Sequence, residues 1–290
     1  MDNSIDRLKE EYKQIDIPEE LDFIVRKALN NPSKKRARAR WLTAVCSVLL
    51  IFLIGININS KVAEAFGRIP GMSGIVEVLT FKSYTFQDDR YHAEIKVPSV
   101  SGLNDAELEQ LLNSKYVKEG KTLYSEFQAD IDELKQKSGG HLSISSDYEV
   151  KTDNDQIFSL ARYVVVSMAS SSDTVQIDTI DKQNHILLSL PMLFKDNRYI
   201  DAISQNIKDQ MKARMEADPN LVYWLESDAD LHIDGFKAID PNQSFYINDK
   251  HQLVIVFNKY EITPGFMGII EFTIPAIAIG DLLVSDYYVR

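Results

Sequence analysis

The sequence predicts an α+β fold: a short helical cytoplasmic tail, one transmembrane helix, and an extracellular domain with a mostly antiparallel sheet and two main helices. Three observations carry that expectation. Residues 41–60 run for twenty positions without a charge. Beyond residue 80, segments of period-two apolar alternation surround two long stretches of helical period. Charge also divides along the chain: residues 1–40 hold ten Lys/Arg against eight Asp/Glu, whereas residues 61–290 hold twenty-two against thirty-five, a net of −13. The implied organisation is a tail at 1–40, a span at 41–60, a stalk at 61–79 and a folded domain at 80–290.

In the tail, Ile5, Leu8, Tyr12 and Ile15 share one helical face. Pro18 followed by Glu19 and Glu20 marks a helix start, with Pro in the first turn and acids at the positive end of the dipole. Leu21, Ile24, Val25, Ala28 and Leu29 then repeat at helical spacing until Asn30, Asn31 and Pro32 stop them. Two helices this short bury little against each other, so their apolar faces are expected to dock on a partner. The tail contains no His or Cys, which excludes a zinc-stabilised fold there.

As a helix, the run at 41–60 is roughly 30 Å long, about the thickness of a bilayer's hydrocarbon core. A buried soluble helix is the alternative, but it would show a polar face, and residues 44–54 have none. Lys34, Lys35, Arg36, Arg38 and Arg40 precede the run, and only Lys61 and Arg68 follow it closely. This asymmetry predicts a cytoplasmic N-terminus and an outer C-terminal domain. The basic cluster beside a span reads as a lipid-headgroup anchor rather than a nucleic-acid site. A cleaved secretory signal peptide competes with this reading, because Ala63 and Ala65 fit the small-residue positions of signal peptidase. Some forty patterned residues before the apolar run favour instead a retained signal-anchor, carrying a cleavage site between Ala65 and Phe66.

Residues 66–79 form a Gly/Pro-bearing stalk. Alternation at 81–86 and 91–97, joined by a turn at 87–90, predicts two strands. Asn104 is the expected cap of a helix over 105–137, ended by Gly139 and Gly140. Strands are expected at 141–150, 157–168, 174–180 and 186–189, then a helix over 199–217 stopping near Pro219. Residues 245–247, 253–257 and 268–274 return to β. One arrangement consistent with this order is two βα-type halves meeting near residue 138.

Composition is that of an ordinary globular chain: 290 residues, 44% hydrophobic and 26% charged. A strongly acidic outer domain disfavours nucleic acid and favours a cationic partner. Cys46 is the single cysteine and lies in the apolar run, so the outer domain has no disulfide. His92, His141, His185, His232 and His251 show no metal-ligand spacing. No GxSxG, HExxH, Walker or GxGxxG motif is present, and no catalytic residue, metal or cofactor is expected. The acid pairs Asp153/Asp155 and Asp228/Asp230 read as solvated turns. Two loop segments resist a simple core reading. Ser170, Ser171 and Ser172 make a small polar patch at a strand end. Thr263-Pro264-Gly265-Phe266-Met267 puts two large apolar side chains on a stiff turn, to be tucked into the core or presented to a partner.

The tail LKEEYKQIDIPEELDFIVRKAL, the span with its Ala-x-Ala, and the stretches GHLSISSDYE, YIDAISQNIKDQMK, YWL, FYI and YEITPGFMGIIEFTIP carry a resemblance along essentially the whole chain. The sequence resembles the sigma-V anti-sigma factors, a family of lysozyme-sensing membrane anti-sigma factors. That resemblance implies an outer domain of a type of unknown function also found beside cell-wall deacetylases. It implies a tail that sequesters an extracytoplasmic-function sigma factor through Leu21, Ile24, Val25 and Leu29. It further implies an outer domain that receives lysozyme, with bound lysozyme exposing Ala63, Ala65 and Phe66 to signal peptidase. An intramembrane protease then frees the sigma factor. Ser170, Ser171, Pro264, Phe266 and Met267 match segments where the family engages lysozyme. Phe266 stands where a tyrosine is expected in a close relative, which keeps an apolar contact and removes a hydroxyl. A membrane-tethered cell-wall enzyme and a lysozyme inhibitor without signalling are the alternatives.

Overall fold

A computed structural model describes residues 76–137, 140–228 and 233–290. The expected tail, span and cleavage site, with Leu21, Ile24, Val25, Leu29, Ala63, Ala65 and Phe66, lie outside the described residues. Among the described residues no helix is long and apolar enough to cross a membrane.

The described residues open with β1 (Glu77–Gln87) and β2 (Tyr91–Ser101), then α1 (Ala106–Gln136). Next come β3 (Leu142–Asp153), β4 (Ile157–Ser167), β5 (Ser171–Asp181) and β6 (Ile186–Leu188). A helix α2 (Arg198–Ala217) leads to β7 (Phe245–Ile247), β8 (Leu253–Phe257) and β9 (Ile270–Ile274), and α3 (Ala276–Ile279) closes the fold. The first six strands lie in sequence order in one sheet, and the last three form a second sheet. Among the described residues only β2 and β3 are parallel. They are the pair joined through α1, because parallel neighbours need a crossover while antiparallel ones need only a turn. The architecture is therefore α+β and mostly antiparallel, but it is two sheets with one helical crossover rather than two βα halves.

Alternation along β4 shows how the layers stack. Phe158 and Leu160 join Leu108, Leu112 and Tyr116 of α1 in one buried cluster. Ala161 points the other way, onto Val254 and Val256 of the small sheet. The small sheet's far face, with Leu253, Ile255, Phe257 and Phe272, packs on Tyr199, Ile203, Ile207 and Met211 of α2. The order is helix, large sheet, small sheet, helix. Strand β8 is apolar at every position because it is covered on both sides. At the end of α1 nearest β3, Phe127 and Ile131 cover Tyr91, Ile95 and Ile144.

Several boundaries differ from the sequence expectation. Asp105, not Asn104, caps α1: its side chain accepts from the Leu108 N–H at 2.9 Å. Asn104 instead takes a left-handed conformation, φ 59°, that turns the chain into the cap. The last three residues of the expected stalk belong to β1. Ser171 and Ser172 are not loop residues but paired members of β5, opposite Ser167 and Val166. Residues 268 and 269 precede β9 rather than joining it. The turn at 87–90 forms as expected, closed by Asp88 N–H to the Tyr91 carbonyl at 2.9 Å. Asp153, read as a solvated turn, ends β3 and pairs with Lys182 at 2.8 Å.

Candidate functional site

The two segments set apart in the sequence are ninety residues distant along the chain and meet in space. Strands β4 and β5 run out to the pair Ser167–Ser171, and a short tip closes with Met168 N–H to the Ser170 carbonyl at 3.1 Å. Beyond the reach of β6, this half of β5 would be an open edge, with unpaired backbone groups. The connection from β8 to β9 covers it. Asn258 Oδ1 accepts from Val175 N–H at 2.8 Å, and Lys259 N–H donates to the Asp173 carbonyl at 3.1 Å. The largely buried Lys259 ammonium donates to Ser171 Oγ and lies 3.7 Å from the Asp173 carboxylate. Its charge is thereby largely spent inside the fold.

Tyr260 follows, with φ 68°, a left-handed conformation rare for a bulky residue. Its hydroxyl shares a hydrogen bond of 2.8 Å with Ser170 Oγ, which ties the β4–β5 tip to the β8–β9 connection. Its ring lies over Gly265, where any Cβ would overlap the ring atoms. Pro264 then opens a single 3-10 turn over Gly265–Met267, closed by Met267 N–H to the Pro264 carbonyl at 3.1 Å.

The turn separates its two apolar residues. Met267 packs against the main core and accepts the Val222 N–H on its sulfur at 3.3 Å. Phe266 remains 73% exposed. On the segments tied to this turn, Met168 is 55%, Tyr260 45% and Val222 40% exposed. The Ser170–Tyr260 and Val222–Met267 hydrogen bonds tie together the segments that bear these side chains. Ser170, Ser171, Pro264, Phe266 and Met267 are thus brought together, with Ser171 and Met267 as supports and Phe266 outermost. Sequence pattern gave no sign of Met168, Val222, Lys259 or Tyr260. Their roles arise from pairing between distant segments, and no residue type announces a tyrosine held at positive φ.

A separate cleft of about 590 Å³ lies between α1 and the large sheet, lined among others by Val97, Leu123, Tyr163 and Val164. At its base Arg162 pairs with Glu119 and with Asp178, the latter at 3.1 Å, while Lys115 reaches Asp178 at 2.7 Å. The Arg162 guanidinium also lies 4.5 Å from the centre of the Tyr116 ring. Burial, with the Asp178 carboxylate, pushes the Tyr116 hydroxyl well above the ordinary phenol range. The four charges cancel internally. Among the described residues no group of three or more His, Cys, Asp or Glu is arranged to hold a metal ion.

Comparison with known proteins adds the following. Residues 192–276 match the family described as protein of unknown function (DUF3298). The whole chain is 45% identical over 291 residues to the anti-sigma-V factor RsiV of Bacillus subtilis, covering 100% of both chains. A crystal structure of a DUF3298 family member from Bacteroides fragilis superposes with a TM-score of 0.53 at 20% identity, covering 73% of this chain and 95% of that one. A second, from Pseudomonas aeruginosa, gives 0.53 at 13% identity, covering 74% and 97%. Both show a shared fold.

Proposed function

The chain belongs to the family of the anti-sigma-V factor RsiV, and from that premise we propose that it is a membrane-anchored anti-sigma factor whose outer domain receives lysozyme. The observation that supports the reading is coverage: the alignment, at 45% identity overall, takes in the whole chain, including the segments read as tail, span and outer domain. A regulator needs all three, whereas an inhibitor acting outside the cell needs only the last. In this reading Leu21, Ile24, Val25 and Leu29 hold an extracytoplasmic-function sigma factor. Residues 41–60 span the membrane once, with residues 61–290 outside. Lysozyme binding exposes the bond between Ala65 and Phe66 to signal peptidase, and an intramembrane protease completes the release.

The apolar tip supports the receptor role. Phe266, Tyr260, Met168 and Val222 offer a protruding surface to a concave site, and a net of −13 over residues 61–290 suits a cationic enzyme.

The test is a sigma-dependent reporter in cells carrying the full chain. Added lysozyme is expected to switch the reporter on and to release a fragment whose N-terminus is Phe66. Ala65→Trp should keep lysozyme binding and abolish both responses. A fragment beginning elsewhere would overturn the cleavage assignment, and a reporter indifferent to lysozyme would overturn the receptor reading.

A further inference from the structure

We infer that Tyr260 is the positioning residue of the binding tip, the strut that makes one rigid surface out of two independent loops; this rests on the receptor reading above. The Met168–Ser170 tip and the Pro264–Met267 turn belong to different sheets. Each is a short exposed connection, and a partner that had to order both on contact would lose binding free energy to their entropy. Tyr260 removes that freedom in two ways. Its hydroxyl holds Ser170 Oγ at 2.8 Å. Its ring occupies the space above Gly265, so the turn carrying Phe266 is seated on the same side chain that holds the tip.

Two further observations indicate that this arrangement is built. The tyrosine is held at φ 68°, a conformation that side chains larger than Asn seldom adopt and that persists only where surrounding contacts enforce it. Those contacts are present immediately before it, where Asn258 and Lys259 bind the β5 edge at Val175, Asp173 and Ser171. The glycine is the second. Position 265 admits no side chain while the ring lies there, so Tyr260 and Gly265 form a matched pair. The clamp therefore presents Phe266 and Met168 at a fixed separation before any partner arrives, which is preorganisation rather than contact energy.

The experiment uses the full chain in detergent micelles, immobilised for surface plasmon resonance with hen-type lysozyme as the probe. Tyr260→Phe deletes only the hydroxyl and Ser170→Ala deletes the same bond from its other end. Each is expected to raise the dissociation rate by about 3- to 10-fold, as the loss of one hydrogen bond would. Because both remove one bond, the double variant should be no worse than either single variant. Gly265→Ala, which displaces the ring, should raise the rate at least as much. Far-UV circular dichroism and Tm should not change in Tyr260→Phe; should they fall, Ser170→Ala and the cycle with it decide the matter. Additive effects, or an unchanged dissociation rate in both single variants, would overturn the inference. Phe266→Ala separates the two levels of the argument. If the unaltered chain does not bind lysozyme, the receptor reading fails. If it binds and Phe266→Ala weakens it while Tyr260→Phe and Ser170→Ala do not, only the strut fails.

Discussion

Phe266 and Met267 are adjacent in sequence and similar in apolar character, yet the turn that carries them gives them opposite fates. Phe266→Ala is expected to leave Tm unchanged and to weaken lysozyme binding by about 2 kcal/mol or more, through dissociation, as interface hot spots do. Met267→Ala should instead lower Tm, because the thioether packs on the core and accepts the Val222 N–H. A matched pair of melting curves and dissociation rates distinguishes them. The sequence marks both residues as apolar on a Pro-Gly turn, but which one faces water depends on where the turn lands, and that is set by Tyr260 and the core beneath. A second residue-scale expectation concerns acid. Asp181 is buried, which works against its charged form, but the side chain and backbone of Asn184, the Tyr288 hydroxyl and the Gln183 N–H outweigh that. Its carboxyl is thus held below the usual carboxylate range. A depressed pKa contributes stability that is full above the unfolded-state value near ~4 and is lost as pH falls through the lower folded value. Asp181→Asn should therefore flatten the acid limb of a Tm-against-pH curve run from pH 7 to 2. Asp181→Ala should in addition cost about 1–3 kcal/mol at neutral pH, from the donors left unpaired. An acid limb unchanged in Asp181→Asn would show that other carboxylates govern it.

Helix α1 shows what a periodic element reveals in its sequence and where it misleads. Of the apolar residues at helical spacing, Leu108, Leu112, Tyr116, Phe127 and Ile131 form the buried stripe, Leu123 and Leu134 are partly buried, and Leu111 faces solvent. Asn104 and Asp105 are both good cap residues, so pattern cannot choose between them. The structure chooses Asp105, with Glu109 reaching back to the Leu103 N–H at 2.8 Å. Asp105→Ala is expected to destabilise by about 1 kcal/mol. Asn104→Gly should be nearly neutral, since glycine adopts its φ of 59° without strain. Chemical denaturation of the two variants checks the assignment, and equal losses would contradict it. Gly120 is the element's other determinant: a Cβ there would lie 2.5 Å from Val97 Cγ2, so the helix sits this close to β2 only because the position is bare. The β5 strand illustrates the opposite case. Its first residues, Ser171, Ser172 and Asp173, have little strand propensity, and the sequence expectation starts the strand at 174. Pairing to β4 and the clasp from Asn258 and Lys259 override that preference.

At the scale of the molecule, the β4–β5 tip and the residue before β1 lie at opposite ends of the large sheet. Val76 donates its N–H to the Asp153 carboxylate at 3.4 Å, beside the Ile157 end of β4, whereas Ser170 follows the Ser167 end. Eleven strand residues at about 3.3 Å each put roughly 33 Å between those ends. Such separation leaves the tip free to meet a large protein. Charge acts on a different range from the tip. In the proposed receptor role, a net of −13 over residues 61–290 would set up a field that an approaching cationic enzyme feels before any contact, while Phe266 would act only after docking. The two contributions should therefore appear in different rate constants. Raising ionic strength from about 0.01 M to 0.15 M shortens the Debye length from about 30 Å to 8 Å, so the association rate with lysozyme should fall steeply. Dissociation should change little, because the tip's central contacts are apolar and the Lys259 charge is already engaged with Ser171 and Asp173. Phe266→Ala should shift dissociation without altering the slope of association against salt. Surface plasmon resonance at four or five salt concentrations resolves both. An association rate indifferent to salt would mean that the acidic surface faces away from the docking path, and a salt-dependent dissociation rate would place ion pairs inside the interface where an apolar tip is expected.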